Sequence, residues 1–203
     1  MAIQESVRRD GSLRPPAQRA TLTEPAPGAI ITTGAAKFLA VVRVALGFAF
    51  LWAFLDKTFG FGYATQSAKA WINGGSPTKG FLSNVAVGPF EATFHTWAGA
   101  VWADWLFMIG LLGIGIALIL GIGLRIAAVS GTLMMLGMWA AEWPLDKLTS
   151  AGEPSMSTNP IVDYHIIYAL ALIALAVTYA GHTWGLGKRW ARLPFVQRNR
   201  WLL

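Results

Sequence analysis

The chain contains no cysteine among its 203 residues. This absence excludes disulfides, thiolate metal ligands, iron–sulfur clusters and covalently attached haem from the chain. Histidine is also scarce, and His95, His165 and His182 are scattered along the sequence. Bis-histidine ligation of haem is therefore not expected, and the sequence predicts no metal site, no flavin and no other internal electron carrier.

Charged residues are few as well. Only 13% of the residues are charged and 55% are hydrophobic, with a mean hydropathy of +0.50. This composition is too apolar for a soluble domain and indicates an integral membrane protein in contact with lipid. The net charge of +6 does not indicate a nucleic-acid partner, because no nucleic-acid-binding motif accompanies the basic residues.

Four apolar segments predict an all-α fold, a bundle of four transmembrane helices over residues 37–184. A single helix from Trp105 to Ala141 would be about 55 Å long, against roughly 30 Å of hydrocarbon, so this stretch must fold back. Gly121 and Gly123 permit that turn, and Asn159-Pro160 is typical of a helix start. The predicted helices span residues 38–59, 105–121, 126–143 and 161–182.

Two basic tails flank the predicted bundle. Residues 1–36 are rich in arginine and proline and predict a flexible tail, and residues 185–203 form a second basic tail. Placing both termini in the cytoplasm of a bacterial cell puts most lysines and arginines on the inner side of its plasma membrane, in agreement with the positive-inside rule. In the first outer loop, Phe90, Phe94 and Trp97 recur at helical spacing after Pro89, which predicts an interfacial helix on the outer surface.

Small residues recur at four-residue spacing within the predicted helices. Examples are Ala45, Ala49 and Ala53 in the first helix and Gly113 and Ala117 in the second. Such residues let helix backbones approach closely in lipid, so they predict a tightly packed bundle.

Ionisable residues gather at the predicted outer ends of the helices. An ionisable group near the hydrocarbon is usually paired, hydrated or functional. Two interpretations stay open: a water-facing rim, or a polar pocket that holds a quinone head group or a small anion. The pocket interpretation assigns catalytic roles to five residues, with Asp104 at the same level: Asp56, Lys57, Glu142, Asp163 and His165.

Three residues are predicted to bind the quinone cofactor. His165 and Tyr168 are three positions apart and share one helix face, from which they could hydrogen-bond a quinone carbonyl. Arg43, near the start of the first helix, is the third, although an arginine there could instead reach lipid phosphates at the inner surface. The Gly74–Gly80 loop lacks the spacing of a P-loop, so no nucleotide site is expected.

Three sequence segments resemble the DoxX/DoxD-like membrane proteins. They are Arg43–Lys57, which reads RVALGFAFLWAFLDK, the loop Trp71–Phe81, which contains GGSPTK, and Asp163–Leu170, which reads DYHIIYAL. The resemblance covers roughly residues 37–190 and points to the DoxD-like branch, the membrane subunit of thiosulfate:quinone oxidoreductase. It implies a four-helix membrane bundle, a quinone acceptor, and the joining of thiosulfate to tetrathionate in the full enzyme.

Three functions are compatible with these sequence features. The first is a quinone-linked oxidoreductase subunit of the thiosulfate dehydrogenase (quinone) type, which would receive electrons from the substrate directly, from a second redox subunit or from a soluble electron donor. The second is a non-catalytic membrane anchor or scaffold of a redox or stress-response complex. A channel or transporter is weaker, because no ionisable residue lies at the predicted middle of the membrane. Association of the chain with copies of itself stays open.

Overall fold

The computed structural model describes residues 31–203, so the first 30 residues of the predicted basic tail lie outside the described residues. Within residues 31–203 the chain is helical and has no β-strand, with a single isolated β-bridge between Leu148 and Pro154. The α-helices are α1 (Thr33–Phe59), α2 (Lys79–Leu82), α3 (Glu91–Trp97), α4 (Val101–Leu120), α5 (Leu124–Glu142), α6 (Tyr164–Val177), α7 (Gly187–Trp190) and α8 (Pro194–Arg198).

Three of these helices are long and apolar enough to cross a membrane. They are α1, α4 and α5, with 27, 20 and 19 residues. At 1.5 Å per residue even α5 is about 28 Å long, close to the thickness of the hydrocarbon core. Helix α6 is equally apolar but has only 14 residues, about 21 Å. The described chain is thus an all-helical membrane protein.

Helix α1 starts earlier than the sequence predicts. Thr32 is the N-cap, and its hydroxyl accepts a hydrogen bond from the Ala35 backbone N–H at 3.3 Å. The helix therefore includes residues 33–36, which had been assigned to the tail. It ends at Gly60, whose left-handed φ of 69° breaks the helical path and lets its N–H donate to the carbonyl of Asp56.

The predicted reversal between the second and third long helices is confirmed. Gly121 and Gly123 both have left-handed backbone conformations, with φ values of 70° and 58°. Gly121 closes α4 by donating its N–H to the Ala117 carbonyl, and α5 begins at Leu124. Because α4 and α5 are joined by only three residues, they pack against each other as an antiparallel hairpin.

Both boundaries of the last predicted helix are wrong. Asn159 does not cap α6: its side chain accepts hydrogen bonds from the backbone N–H groups of Ile161 and Val162 in a local turn. The N-cap is Asp163, which accepts from the N–H groups of His165 and Ile166. At the other end, Tyr179 has a left-handed φ of 52°, and the predicted final turn is a short 3-10 helix, Ala180–His182.

The long helices pack side by side in the order α1, α4, α5, α6. Helices α1 and α4 approach each other closely at Gly47 and Gly115: a Cβ on Gly47 would lie 2.8 Å from the Cβ of Leu118, and one on Gly115 would lie 2.8 Å from the Leu51 nitrogen. For this pair of helices the sequence predicts other small residues, of which Ala45 and Gly113 are exposed, whereas the predicted Gly131 of α5 does pack closely, since a Cβ there would lie 2.5 Å from Leu172 Cδ1. The predicted close packing is therefore present, but between α1 and α4 it is provided by glycines two positions away from the predicted residues.

Apolar side chains also cover the outside of the bundle. Each long helix and α6 expose several of them, which is the pattern expected for contact with lipid. Examples are Val41 and Phe48 on α1, Leu106 and Ile109 on α4, Val129 and Leu133 on α5, and Ile167 and Leu170 on α6.

The antiparallel packing gives the bundle two distinct ends. The first, here the Asp163 end, contains the C-terminus of α1, the N-terminus of α4, the C-terminus of α5 and the N-terminus of α6. The opposite end, here the Arg43 end, contains the α4–α5 turn. The C-terminal segment folds against the Arg43 end, where the Leu186 N–H donates to the Leu120 carbonyl. Within the segment, the Trp190 indole donates to the Leu202 carbonyl.

Candidate functional site

The predicted catalytic residues all lie at the Asp163 end, but they do not form one cluster. Glu142, Asp163 and His165 come together where α5 ends and α6 begins. Asp56 and Lys57 lie at the end of α1, and among the described residues neither makes an ion pair or hydrogen bond with those three. The single mouth expected from the sequence is therefore divided into separate polar sites.

The first site is the His165 cluster, which consists of Glu142, Asp163, Tyr164 and His165. His165 is fully buried, and its Nδ1 lies 2.8 Å from Asp163 Oδ2 and 3.8 Å from Glu142 Oε2. The Tyr164 hydroxyl donates to Glu142 Oε1 at 3.0 Å. Because Asp163 also caps α6, the start of the helix fixes the position of the imidazole relative to both carboxylates.

A cavity of about 550 Å³ lies beside the His165 cluster. Asp163, Tyr164 and Glu142 form one wall. The other walls come from residues 80–87 and from residues 149–159, so two loops and the ends of two helices enclose the space. Its lining is mixed, with polar groups from the His165 cluster and apolar side chains such as Phe81, Val85 and Met156.

His165 and Tyr168 do not line this cavity. His165 is fully buried behind Asp163, and its Nε2 has no hydrogen-bond partner among the described residues. The Tyr168 ring lies 6.3 Å from the Tyr164 ring and 6.4 Å from that of Phe50, between α1 and α6. The polar groups that do reach the cavity include Tyr164, which the sequence analysis did not single out.

Asp56 and Lys57 occupy a second site at the end of α1. Asp56 is buried, and its Oδ2 accepts a hydrogen bond from the Ala64 N–H at 3.0 Å, which ties the following loop to the helix. Its Oδ1 has no partner among the described residues. Lys57 Nζ lies 5.8 Å from the centre of the Phe107 ring, an arrangement that allows a cation–π interaction with α4.

Asp104 forms a third site and holds the Gly-Gly-Ser-Pro-Thr loop. Its Oδ1 accepts hydrogen bonds from the Ser76 hydroxyl at 2.9 Å, the Thr78 N–H at 2.9 Å and the Thr78 hydroxyl at 2.6 Å. Asp104 and Thr78 are both buried. The loop motif is thus explained by its serine and threonine hydroxyls, which solvate a carboxylate at the start of α4.

We expect Asp104→Ala to detach this loop from α4. The change removes three hydrogen bonds to a charged acceptor and leaves the buried Thr78 hydroxyl without this acceptor, which costs about 2 to 3 kcal/mol of folding free energy. Hydrogen–deuterium exchange should show faster exchange of the amides of residues 76–80. The exposed Asp146→Ala, at the same end of the bundle, is the control, and equal exchange in the two variants would contradict the assignment.

Arg43 lies at the opposite end from the cavity. Its guanidinium is fully buried and donates to the carbonyls of Leu118 and Ile119 at the C-terminus of α4 and to that of Trp184 in the C-terminal segment. Thirteen residues of helix separate Arg43 from Asp56, a rise of about 20 Å. The structure does not bring Arg43 near His165, and its side chain is turned into the protein rather than toward lipid phosphates.

Comparison of the chain with models of known protein families finds no match, and comparisons with curated proteins and with solved structures find none either. Membership of the DoxX/DoxD-like family therefore stays a prediction from the sequence motifs. The sites have to be interpreted from their own geometry.

Proposed function

We propose that this chain is the membrane subunit of a quinone-linked oxidoreductase and binds the quinone head group in the cavity beside the His165 cluster. The observation that carries the proposal is the composition of the cavity wall, in which Tyr164, Glu142 and Asp163 face apolar side chains across one space. A volume of about 550 Å³ is in the range of small-molecule sites. A quinone ring requires this combination of flat apolar surface and a few hydrogen-bonding groups.

The reaction requires protons as well as electrons. A quinone that accepts two electrons becomes a quinol only if two protons reach its carbonyl oxygens. In the proposed site the Tyr164 hydroxyl, which donates to Glu142, turns to a quinone carbonyl, and the two carboxylates pass protons from water at the open side of the cavity. His165 has no direct contact with the quinone in this scheme and positions Asp163 through the 2.8 Å contact.

The electrons come from outside the chain. The sequence predicts no haem, flavin or iron–sulfur centre, so the donor is a partner subunit, a soluble protein or the substrate itself. Thiosulfate, the donor implied by the family resemblance, supplies two electrons when two molecules join to form one tetrathionate. These electrons and two protons convert one quinone to one quinol.

The proposal includes a four-helix topology with α6 as the fourth span. Helix α6 packs against α5 and exposes apolar side chains outward, as the three longer helices do. Its deficit in length is small enough for local thinning of the bilayer or tilt of its neighbours to accommodate. Lys37, Arg43, Arg125 and the basic C-terminal segment share the Arg43 end, which we place in the cytoplasm of a bacterial cell, with α3 and the cavity on the outer side.

The test is to purify the chain from bacterial membranes in mild detergent and to extract its bound small molecules. We expect quinone at close to one per chain, because the polar groups and apolar side chains of the cavity would bind its head group. A preparation that holds a partner protein but only background quinone would contradict the proposal and favour the anchor or scaffold function. An unrelated membrane protein, purified from the same bacterial host in the same amount, gives the background level of quinone.

A further inference from the structure

The two carboxylates of the His165 cluster carry a negative charge that the described residues do not balance. No lysine or arginine among residues 31–203 lies within 4.0 Å of Glu142 or Asp163 in an ion pair, and the ion-pair contacts in this region are those with the His165 imidazole. Two carboxylates held beside one imidazole repel each other, and a cation between them would relieve that repulsion.

Each carboxylate has one oxygen directed at the imidazole, and its other oxygen accepts hydrogen bonds from other groups. Asp163 Oδ1 accepts from the N–H groups of His165 and Ile166 at 3.0 and 3.1 Å, which leaves Oδ2 directed at Nδ1. Glu142 Oε1 accepts from Tyr164, and Oε2 is the atom 3.8 Å from Nδ1. Helix capping and the tyrosine thus orient the two remaining oxygens in the way that outer hydrogen bonds orient metal ligands.

The three atoms that remain have the spacing of metal ligands. One nitrogen and two carboxylate oxygens, from Glu142, Asp163 and His165, all lie within 4.8 Å of one another. Ligands about 2.0 to 2.2 Å from an ion are separated by roughly 3 to 4 Å, so a cation fits between them with small side-chain adjustments. Imidazole nitrogen combined with carboxylate oxygen suits a divalent first-row transition ion rather than Ca²⁺ or Mg²⁺, which prefer oxygen alone.

We infer that Glu142, Asp163 and His165 bind a divalent transition-metal ion, such as Mn²⁺ or Zn²⁺, at the wall of the cavity. The sequence predicts no metal site here, because Glu142 lies far from Asp163 and His165 along the chain and the three show no metal-binding spacing. Since Glu142 and Asp163 line the cavity, the remaining coordination positions would face it and would be open to water or to an oxygen of a ligand. The inference does not depend on the quinone proposal.

The test uses the full chain in detergent, freed of quinone by extraction and of metal by a chelator. Mn²⁺ is titrated in, and the electron paramagnetic resonance signal of free Mn²⁺ reports binding. We expect saturation at one Mn²⁺ per chain, with competition by Zn²⁺, and at least tenfold weaker binding in Asp163→Asn and in Glu142→Gln. Asparagine caps helices as well as aspartate does, so Asp163→Asn removes the charge and keeps the start of α6.

The matched control is Glu153→Gln, which removes an exposed negative charge at the same end and should change Mn²⁺ affinity less than twofold. Absence of saturable binding of both Mn²⁺ and Zn²⁺ would overturn the inference. Equal weakening by Glu153→Gln and Asp163→Asn would also overturn it, since the ion would then respond only to overall charge. Metal binding without quinone retention would refute the quinone proposal alone.

Discussion

Replacing Arg43 by leucine is expected to lower the free energy of unfolding by about 3 kcal/mol or more. The side chain is fully buried and donates to backbone carbonyls on two different segments, the end of α4 and the C-terminal segment. Hydrogen bonds from a charged donor contribute about 1.5 to 3 kcal/mol each, and their loss leaves the acceptors buried and unpaired. The change should lower the melting temperature in detergent by roughly 6 to 12 °C.

Two further variants identify the cause of that loss. Arg189→Leu removes an exposed cation in the C-terminal segment and should change stability by less than about 0.5 kcal/mol. Arg43→Lys should be intermediate, because a single ammonium cannot reach carbonyls on both segments as the planar guanidinium does. If Arg43→Leu has the melting temperature of the wild type but loses quinone binding, Arg43 belongs to the ligand site, as the sequence predicts. The stabilising role assigned to Arg43 would then be wrong.

Removing the Tyr164 hydroxyl is expected to weaken quinone binding at least tenfold, or about 1.4 kcal/mol. Tyr164→Phe keeps the ring that lines the cavity and deletes only the donor proposed for the quinone carbonyl. His165→Ala should cause a similar loss by releasing Asp163. Fluorescence quenching by a short-chain quinone gives both affinities, and Tyr63→Phe, an exposed tyrosine after α1, is the control.

Tyr168→Phe separates this arrangement from the one predicted by sequence. Tyr168 and His165 share a helix face, but Tyr168 does not line the cavity, so its hydroxyl should have little influence on affinity. A tenfold loss in Tyr168→Phe together with no change in Tyr164→Phe would contradict the cavity as the binding site. It would place the quinone between α1 and α6 instead.

The sequence predicts the position of a helix well where the length of an apolar stretch, compared with the thickness of the membrane, leaves one possibility. The stretch from Trp105 to Ala141 is too long for one span, and the glycines at 121 and 123 are the residues that allow reversal, so the hairpin was predictable. The start of α6 was not, because Asn159 and Asp163 are both good capping residues. Only the packing of α6 against α5, with His165 beside Glu142, decides between them.

Side-chain roles at the two ends of the bundle depend on contacts between distant segments. Arg43 looked like a lipid-facing or ligand-binding cation because its acceptors, the carbonyls of Ile119 and Trp184, are remote in sequence. Asp104 and Thr78 form a hydrogen bond because the loop folds onto the start of α4. Their spacing in the sequence does not indicate this contact. The sequence therefore located the polar residues at the correct ends but could not divide them among three sites.

The most direct test of the central claim is to locate a bound quinone by photochemical cross-linking. A photoreactive short-chain quinone is added to the purified chain, irradiated, and its attachment sites are mapped by mass spectrometry, with excess unmodified quinone as competitor. We predict competed labelling within residues 80–87, 155–159 and 163–164, which line the cavity. Competed labelling confined to α1 and α4, or labelling that unmodified quinone fails to suppress, would contradict the proposed site.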